Sequence, residues 1–128
     1  MKHYKLTSII LKCSFEVSNE LGAGFLETVY ENALLQALRL EGLQADNRYP
    51  LEVFFRGRCI GKFYADLFVE QKVIVELKAV KAIEPIHQAQ VLNYLNASGI
   101  EVGLLINFGR PKLEYMRFNR SKNHHVTP

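Results

Sequence analysis

Three charged residues interrupt a strand pattern in "DLFVEQKVIVELK", residues 66–78. Asp66, Glu76 and Lys78 stand where alternation ought to keep charge off a buried face. Successive strand side chains point to opposite faces, so Glu76 and Lys78 share one face and Val75 and Leu77 the other. Two turn lengths are open. A three-residue loop of Glu70, Gln71 and Lys72 pairs Val69 with Val73 and sets Asp66 directly opposite Glu76; a two-residue turn puts the acids on opposite faces. The three-residue loop is the reading in which the pattern has a purpose. Directly opposed residues have Cβ atoms about 4.5–5.5 Å apart, and like charges there repel unless a proton or a cation lies between them. Hard carboxylate oxygens at that separation suit Mg²⁺ or Mn²⁺, which keep several waters and take only a couple of protein carboxylates. Lys78 could then hold the water that the metal acidifies, or neutralise a phosphate. A solvated strand face carrying a Glu–Lys pair has the same residue types.

The elements that must position these residues follow from periodicity. Leu6, Ile10, Cys13, Val17 and Leu21 recur at helical spacing, predicting an amphipathic helix that ends near the "GAG" of residues 22–24. A second, more apolar helix is predicted from about Phe25 to Leu40, stopped by Gly42. From Tyr49 the period changes to two. Three antiparallel strands follow, broken around Arg56-Gly57 and again at residues 70–72. Pro85 suits the first turn of a helix that runs through Ile86, Ala89, Val91, Leu92 and Leu95 to Gly99. "VGLLINF", residues 102–108, reads as a strand buried on both faces, parallel to the strand over 72–79 through the helical crossover. "KLEYMRF", 112–118, reads as an alternating edge strand. The order ααβββαββ predicts an α/β sandwich around a mixed sheet, one domain over residues 1–120 with a frayed tail at 121–128.

Composition agrees with a globular chain: 128 residues, 48% hydrophobic and 23% charged. The net charge of +3 permits a polyanionic partner without requiring one. Cys13 falls in a helical pattern and Cys59 in a strand pattern, so both are expected as buried thiols in a reducing compartment. The apolar run near the N-terminus is too short to span a bilayer, which makes the cytoplasm the expected location and excludes a membrane role. There is no Gly-rich phosphate loop, no zinc-ligand spacing and no Ser–His–acid arrangement.

Asp66, then Glu76 nine intervening residues later, then Lys78 across a β-hairpin resembles the PD-(D/E)XK nuclease superfamily, whose fold is restriction-endonuclease-like. Ala65 stands where that superfamily has its named proline. "GFLETVY", residues 24–30, matches Gly-x-x-Glu-x-x-Tyr and resembles the signature of the GxxExxY proteins, a small prokaryotic branch of the superfamily. "QVLNYL" and the later "GLLINFG" also resemble that group, so that the similarity covers residues 5–119. The resemblance implies metal-dependent hydrolysis of phosphodiester bonds in DNA. Asp66, Glu76 and the backbone carbonyl of Leu77 would be metal ligands, with Mg²⁺ or Mn²⁺ as cofactor, and Lys78 would act on the attacking water.

Glu27 lies on one helical stripe with Tyr30, Leu34 and Leu38. An acid on an inward stripe needs a partner, or it stays neutral. It is either a third acid at the metal, as the resemblance implies, or a helix-start glutamate favoured by the dipole. Gly24 is expected to allow the turn before it. Tyr30 is expected to pack in the core with its hydroxyl turned to the site. Gln90 and Tyr94, one turn apart, share a helix face. They are either the polar edge of an amphipathic helix or, as their similarity to RecB-like nucleases implies, neutral donors beside the site. His87 reads as a satisfied surface residue, His124-His125 as non-catalytic. Arg56, Arg58, Lys62, Lys72, Lys81 and Arg110 are basic positions that could flank a phosphate backbone. The rival function is a non-catalytic nucleic-acid-binding or protein-interaction module that keeps the fold. A homodimer is a further possibility that the sequence leaves open.

Overall fold

The computed structural model describes residues 2–120. The expected tail at 121–128, with His124-His125, lies outside them. The elements are α1 (Tyr4–Leu21), α2 (Glu27–Leu40), β1 (Ala45–Phe55), β2 (Arg58–Val69), β3 (Val73–Lys78), α3 (Pro85–Ser98), β4 (Val102–Asn107) and β5 (Glu114–Asn119). The strands form one sheet in the order β1-β2-β3-β4-β5, antiparallel except for the parallel pair β3–β4. This is the restriction-endonuclease-like arrangement that the element order predicts.

Two apolar layers sandwich the sheet. Ile10 and Cys13 of α1 and Tyr30, Leu34 and Leu38 of α2 pack on Leu67, Val69, Val73, Val75 and Leu77. On the other face Val91 and Leu95 of α3 pack on Phe68, Ile74 and Leu105. The strand β4 is buried along its whole length because both layers need it. That explains its unbroken apolar run.

The boundaries depart from the periodic reading for local reasons. The helix α2 starts at Glu27, not Phe25, because Leu26 is extended and the Phe25 N–H donates to the Tyr30 hydroxyl. The strand β1 starts at Ala45, not Tyr49: its first residues pair with Val69, Phe68 and Leu67, but polar Asp46 and Asn47 conceal the period. In the same way β3 is trimmed to 73–78 and β5 begins at Glu114. Ile86 and Ala89 face outward on α3 rather than into the core. Cys13 is buried as expected, but Cys59 is exposed, because the part of β2 that carries it has no layer above it.

One polar residue inside β4 organises the crossover. Asn107 is fully buried. Its Oδ1 accepts from the N–H groups of Val80 and Gly109, both at 3.0 Å. Its Nδ2 donates to the Val80 carbonyl at 2.9 Å and to Glu114 Oε1 at 3.0 Å. The same Glu114 oxygen accepts from the Ile83 N–H at 3.1 Å. Gly109 is required beside this clamp, since a Cβ there would lie 2.2 Å from the Val80 carbonyl oxygen. The segment leading from Lys78 to α3 is thereby fixed from both sides. Asn107→Ala leaves several of these buried groups unpaired. It should lower the unfolding free energy by about 2–4 kcal/mol, read from urea denaturation.

Candidate active site

The β2–β3 hairpin turns through Glu70 and Gln71, both at positive φ, with the Lys72 N–H donating to the Val69 carbonyl at 3.0 Å. Val69 then pairs with Val73, Phe68 with Ile74 and Leu67 with Val75, which is the register of the three-residue loop. At Asp66 and Glu76 the ladder stops. The strand β3 continues beside β4 as far as Lys78, while β2 continues beside β1 alone. The sheet forks, and the two acids fill the crotch of the fork.

Each carboxylate takes the place that a backbone carbonyl would have held. The Asp66 N–H donates to Glu76 Oε2 at 2.9 Å, and the Leu77 N–H donates to Asp66 Oδ2 at 2.8 Å. The second oxygen of each carboxylate accepts no hydrogen bond from the described residues. Glu76 is 5% exposed. Its burial, and then the charge of Asp66, push its carboxyl up to about 8; the Asp66 N–H and Lys78 oppose this. Asp66 is raised too, by burial first, against the Leu77 N–H and the cations Lys78 and Arg48. The ion pairs among the described residues, Lys2–Glu101 and Lys12–Glu41, lie elsewhere. Thus a buried acid and a half-buried one share the fork without a cation in contact.

The chain twists at this point. Arg48 lies opposite Asp66, between the pairs Asn47–Leu67 and Tyr49–Ala65, and takes φ 50°. Asn47 reaches Glu31 of α2, whereas Tyr49 packs on Phe68 on the α3 side with ring centroids 4.8 Å apart. Alternation alone would put residues 47 and 49 on one face. The irregularity sets Asp66 where groups from both layers act on it.

From the α2 layer come Glu27 and Glu31. Burial raises the carboxyl of Glu27, with Asp66 adding to the effect and Lys78 opposing it. Glu31 is also raised by burial, then lowered by its bond from Asn47 Nδ2 at 3.4 Å and raised again by Asp66. From the α3 layer, Lys78 Nζ donates to Gln90 Oε1 at 3.3 Å and Gln90 Nε2 to the Tyr94 hydroxyl at 3.0 Å. Tyr94 stacks on Phe63, with centroids 3.9 Å apart. Lys78, Gln90 and Tyr94, with Ile86, His87, Ala89 and Asn93, line a cleft of about 370 Å³. His87 is occupied as the helix-start partner of Glu84, whose N–H donates to its Nδ1 at 3.0 Å.

Tyr30 does not turn its hydroxyl to the acids. That hydroxyl donates to the Gly22 carbonyl at 2.6 Å and accepts from the Phe25 N–H, while the buried ring stacks on Phe108 at 4.8 Å. It ties down the loop that carries Gly24, at φ 117°, and so fixes the start of α2 and with it Glu27. Glu31 escaped the sequence reading, although it falls four residues after Glu27 and three before Leu34, on the same stripe. Arg48 gave no signal, since nothing nearby marks a non-glycine residue at positive φ.

A profile described as the PD-(D/E)XK nuclease superfamily matches residues 4–118. The chain belongs to the PD-(D/E)XK nuclease superfamily. No curated protein matches this PD-(D/E)XK chain. Among solved structures it resembles one titled "Crystal structure of SSO0001", with a TM-score of 0.55 at 16% identity. The alignment covers 97% of this chain and 62% of that one, so the chain spans less than two thirds of the solved relative. Such a likeness supports the fold alone.

PD-(D/E)XK nucleases generally use divalent metals, and the donors at the fork fit one. They are hard oxygens, each carboxylate has one oxygen fixed and one unengaged, and a cation would offset the burial that raises both acids and the repulsion that adds to it at Glu76. Among the described residues, however, no three His, Cys, Asp or Glu side chains are gathered as an ion would gather them. Any third ligand would be a backbone carbonyl, a water or a moved side chain. Among the described residues no helix is long and apolar enough to cross a membrane.

Proposed function

We propose that this chain is a Mg²⁺- or Mn²⁺-dependent deoxyribonuclease of the GxxExxY branch, acting in the prokaryotic cytoplasm. The observation that carries the reading is the fork itself: buried Glu76 and half-buried Asp66, both with raised pKa values and an unengaged oxygen, and a lysine ammonium in the same field. Asp66, Glu76 and the Leu77 carbonyl would hold the cation, and Glu27 would complete or tune its shell. When bound, the cation supplies Lewis acidity toward the scissile phosphate and the attacking water. The chain's own residues do the rest. Lys78, steadied by Gln90, presents an ammonium that orients the water or balances charge developing on the phosphate. Gln90 and Tyr94 add neutral donors along the cleft, where a phosphate oxygen can be held without another full charge. Hydrolysis then joins the water oxygen to phosphorus and breaks the bond to the departing sugar oxygen, which leaves with a proton.

The test is a digestion panel of linear, circular, nicked and single-stranded DNA with Mg²⁺, Mn²⁺ or EDTA. Cleavage of at least one substrate that EDTA abolishes is the expected result. A role for Glu27 at the cation has its own signature. Glu27→Gln should raise the metal concentration needed for half-maximal cleavage while changing the melting temperature little, because its carboxyl is only half-buried. An unchanged metal titration would return Glu27 to the helix dipole.

That no third side-chain ligand is gathered among the described residues favours a second reading, a nucleic-acid-binding module without turnover. Duplex binding that EDTA does not alter, with no cleavage under any metal, would select it. A homodimer fits either reading, since a domain of this size offers little surface for gripping DNA alone.

A further inference from the structure

Beyond the fork, β1 and β2 continue as a ribbon that no third strand among the described residues joins. Every residue from 54 to 62 is exposed. The exposed set includes large apolar side chains: Phe54 at 57%, Phe55 at 56% and Ile60 at 61%. Among them stand Arg56, Arg58 and Lys62, against the single acid Glu52. Arg56 and Gly57 take positive φ, the turn that matches strand twist, and the register shifts between Val53 and Phe54, where a bulge increases that twist. The guanidinium of Arg56 lies over the Phe55 ring, 4.9 Å from its centroid.

The ribbon's base is joined to the catalytic residues. Buried Phe63 stacks on Tyr94, which is bonded through Gln90 to Lys78. An extended strand rises about 3.3 Å per residue, so Lys62 lies roughly 13 Å and Arg58 roughly 26 Å along β2 from Asp66. On a DNA strand with one phosphate per ~3.4 Å, those are steps of about four and eight nucleotides. A two-stranded ribbon also has the width that the major groove admits. Strand addition by a second copy is opposed at the free edge: Pro50 lacks a donor in the middle of β1, and Glu52 adds charge there.

We propose that the β1–β2 ribbon is an arm that grips duplex DNA on one side of the scissile bond. Arg56, Arg58 and Lys62 contact phosphates, and Phe54 and Ile60 lie against the groove. The assignment rests on the nucleic-acid reading of the fork but not on turnover. It gives a small domain the grip that its body lacks, over a flank about four to eight base pairs from the cut.

The experiment measures fluorescence anisotropy of a labelled duplex of about 30 base pairs against salt, in EDTA, with the full chain. The protein forms are the wild type, the triple variant Arg56→Ala/Arg58→Ala/Lys62→Ala, the control Lys12→Ala, and Phe54→Ser/Ile60→Ser. Each phosphate contact contributes about 0.9 to the slope of log K against log salt, so the triple variant should lose about two to three. It should bind at least ten-fold more weakly near 0.1 M salt, at an unchanged melting temperature. Lys12→Ala, whose ammonium is paired with Glu41 between α1 and the end of α2, should keep the wild-type slope. Duplex binding with this slope but no cleavage under any metal would sink the nuclease reading and leave the arm standing. Cleavage with a triple-variant slope equal to the wild type would do the reverse. A wild type that does not bind duplex at all overturns the arm. So does an unchanged duplex affinity in Phe54→Ser/Ile60→Ser coupled to lost self-association on sedimentation. The same holds if that variant instead loses binding to phosphatidylserine-containing vesicles, since the exposed face would then belong to a lipid surface.

Discussion

Asp66→Asn is expected to remove metal-dependent cleavage while leaving the fold intact. The asparagine carbonyl can still accept from the Leu77 N–H, so the bond that Asp66 Oδ2 makes at 2.8 Å has a replacement. What disappears is the negative charge that would hold a cation between the strands. Losing several kcal/mol of charge stabilisation in the transition state corresponds to roughly three orders of magnitude or more in rate. Lys78→Ala should behave differently. The cation's ligands remain, so calorimetric metal binding persists, but turnover falls on the order of 10²–10³-fold, as when one preorganised donor is removed. The two variants thus separate binding from chemistry. If Lys78→Ala cuts as fast as the wild type, the lysine is a surface cation and its bond to Gln90 is structural.

The second large effect is on stability against pH in the absence of metal. Glu76 is raised to about 8 from an ordinary 4.5, and Asp66 is raised as well. A carboxyl whose folded pKa exceeds its unfolded value binds its proton more tightly in the fold. The native state then holds more protons than the unfolded state between the two values, and stability falls as pH rises. In EDTA the unfolding free energy should therefore decline from about pH 4.5 to about pH 8, by an amount on the order of a few kcal/mol. Millimolar Mg²⁺ or Mn²⁺ should flatten that slope by replacing the proton. At a concentration near a hundred times the dissociation constant, the gain is roughly 2.7 kcal/mol. Asp66→Asn should preserve or raise stability without metal at pH 8 and lose the metal response. A wild type with no metal-dependent shift in melting temperature, paired with an Asp66→Asn that is merely destabilised, would show the acids to be structural.

What the sequence made legible was what local rules control. Pro85 and Gly99 bracket α3 because each suits its position in the helix. The run at 102–107 marks a strand covered on both faces. The pairing of Val69 with Val73 is the one that brings the two acids together, and the register agrees. What escaped depends on partners distant in the chain. Asn107 reads as one polar residue in an apolar run; its clamp on Val80 and Glu114 exists only once the crossover is closed. Exposed Cys59 follows from the ribbon's outgrowing the third strand, which alternation does not encode. The Tyr30 hydroxyl is taken by the Gly22 carbonyl and the Phe25 N–H, partners in a loop whose path helical periodicity does not give. Arg48 twists β1 where Asp66 stands, and a positive φ on arginine leaves no mark in residue type.

The fork has a bearing on how the hairpin finds its pairing. Strands that slip by one residue normally keep most of their ladder and merely exchange faces. Here a slip would do more. It would part the Asp66 N–H from the Glu76 carboxylate and the Leu77 N–H from the Asp66 carboxylate together, leaving two buried amides and two acids unmatched. Each unsatisfied group costs about 1–3 kcal/mol, and more where it is charged. The acids thereby act as a key cut for one alignment of the two strands. A chain that closes this hairpin in the wrong register is rejected by the same oxygens that, in the right one, stand ready for a metal.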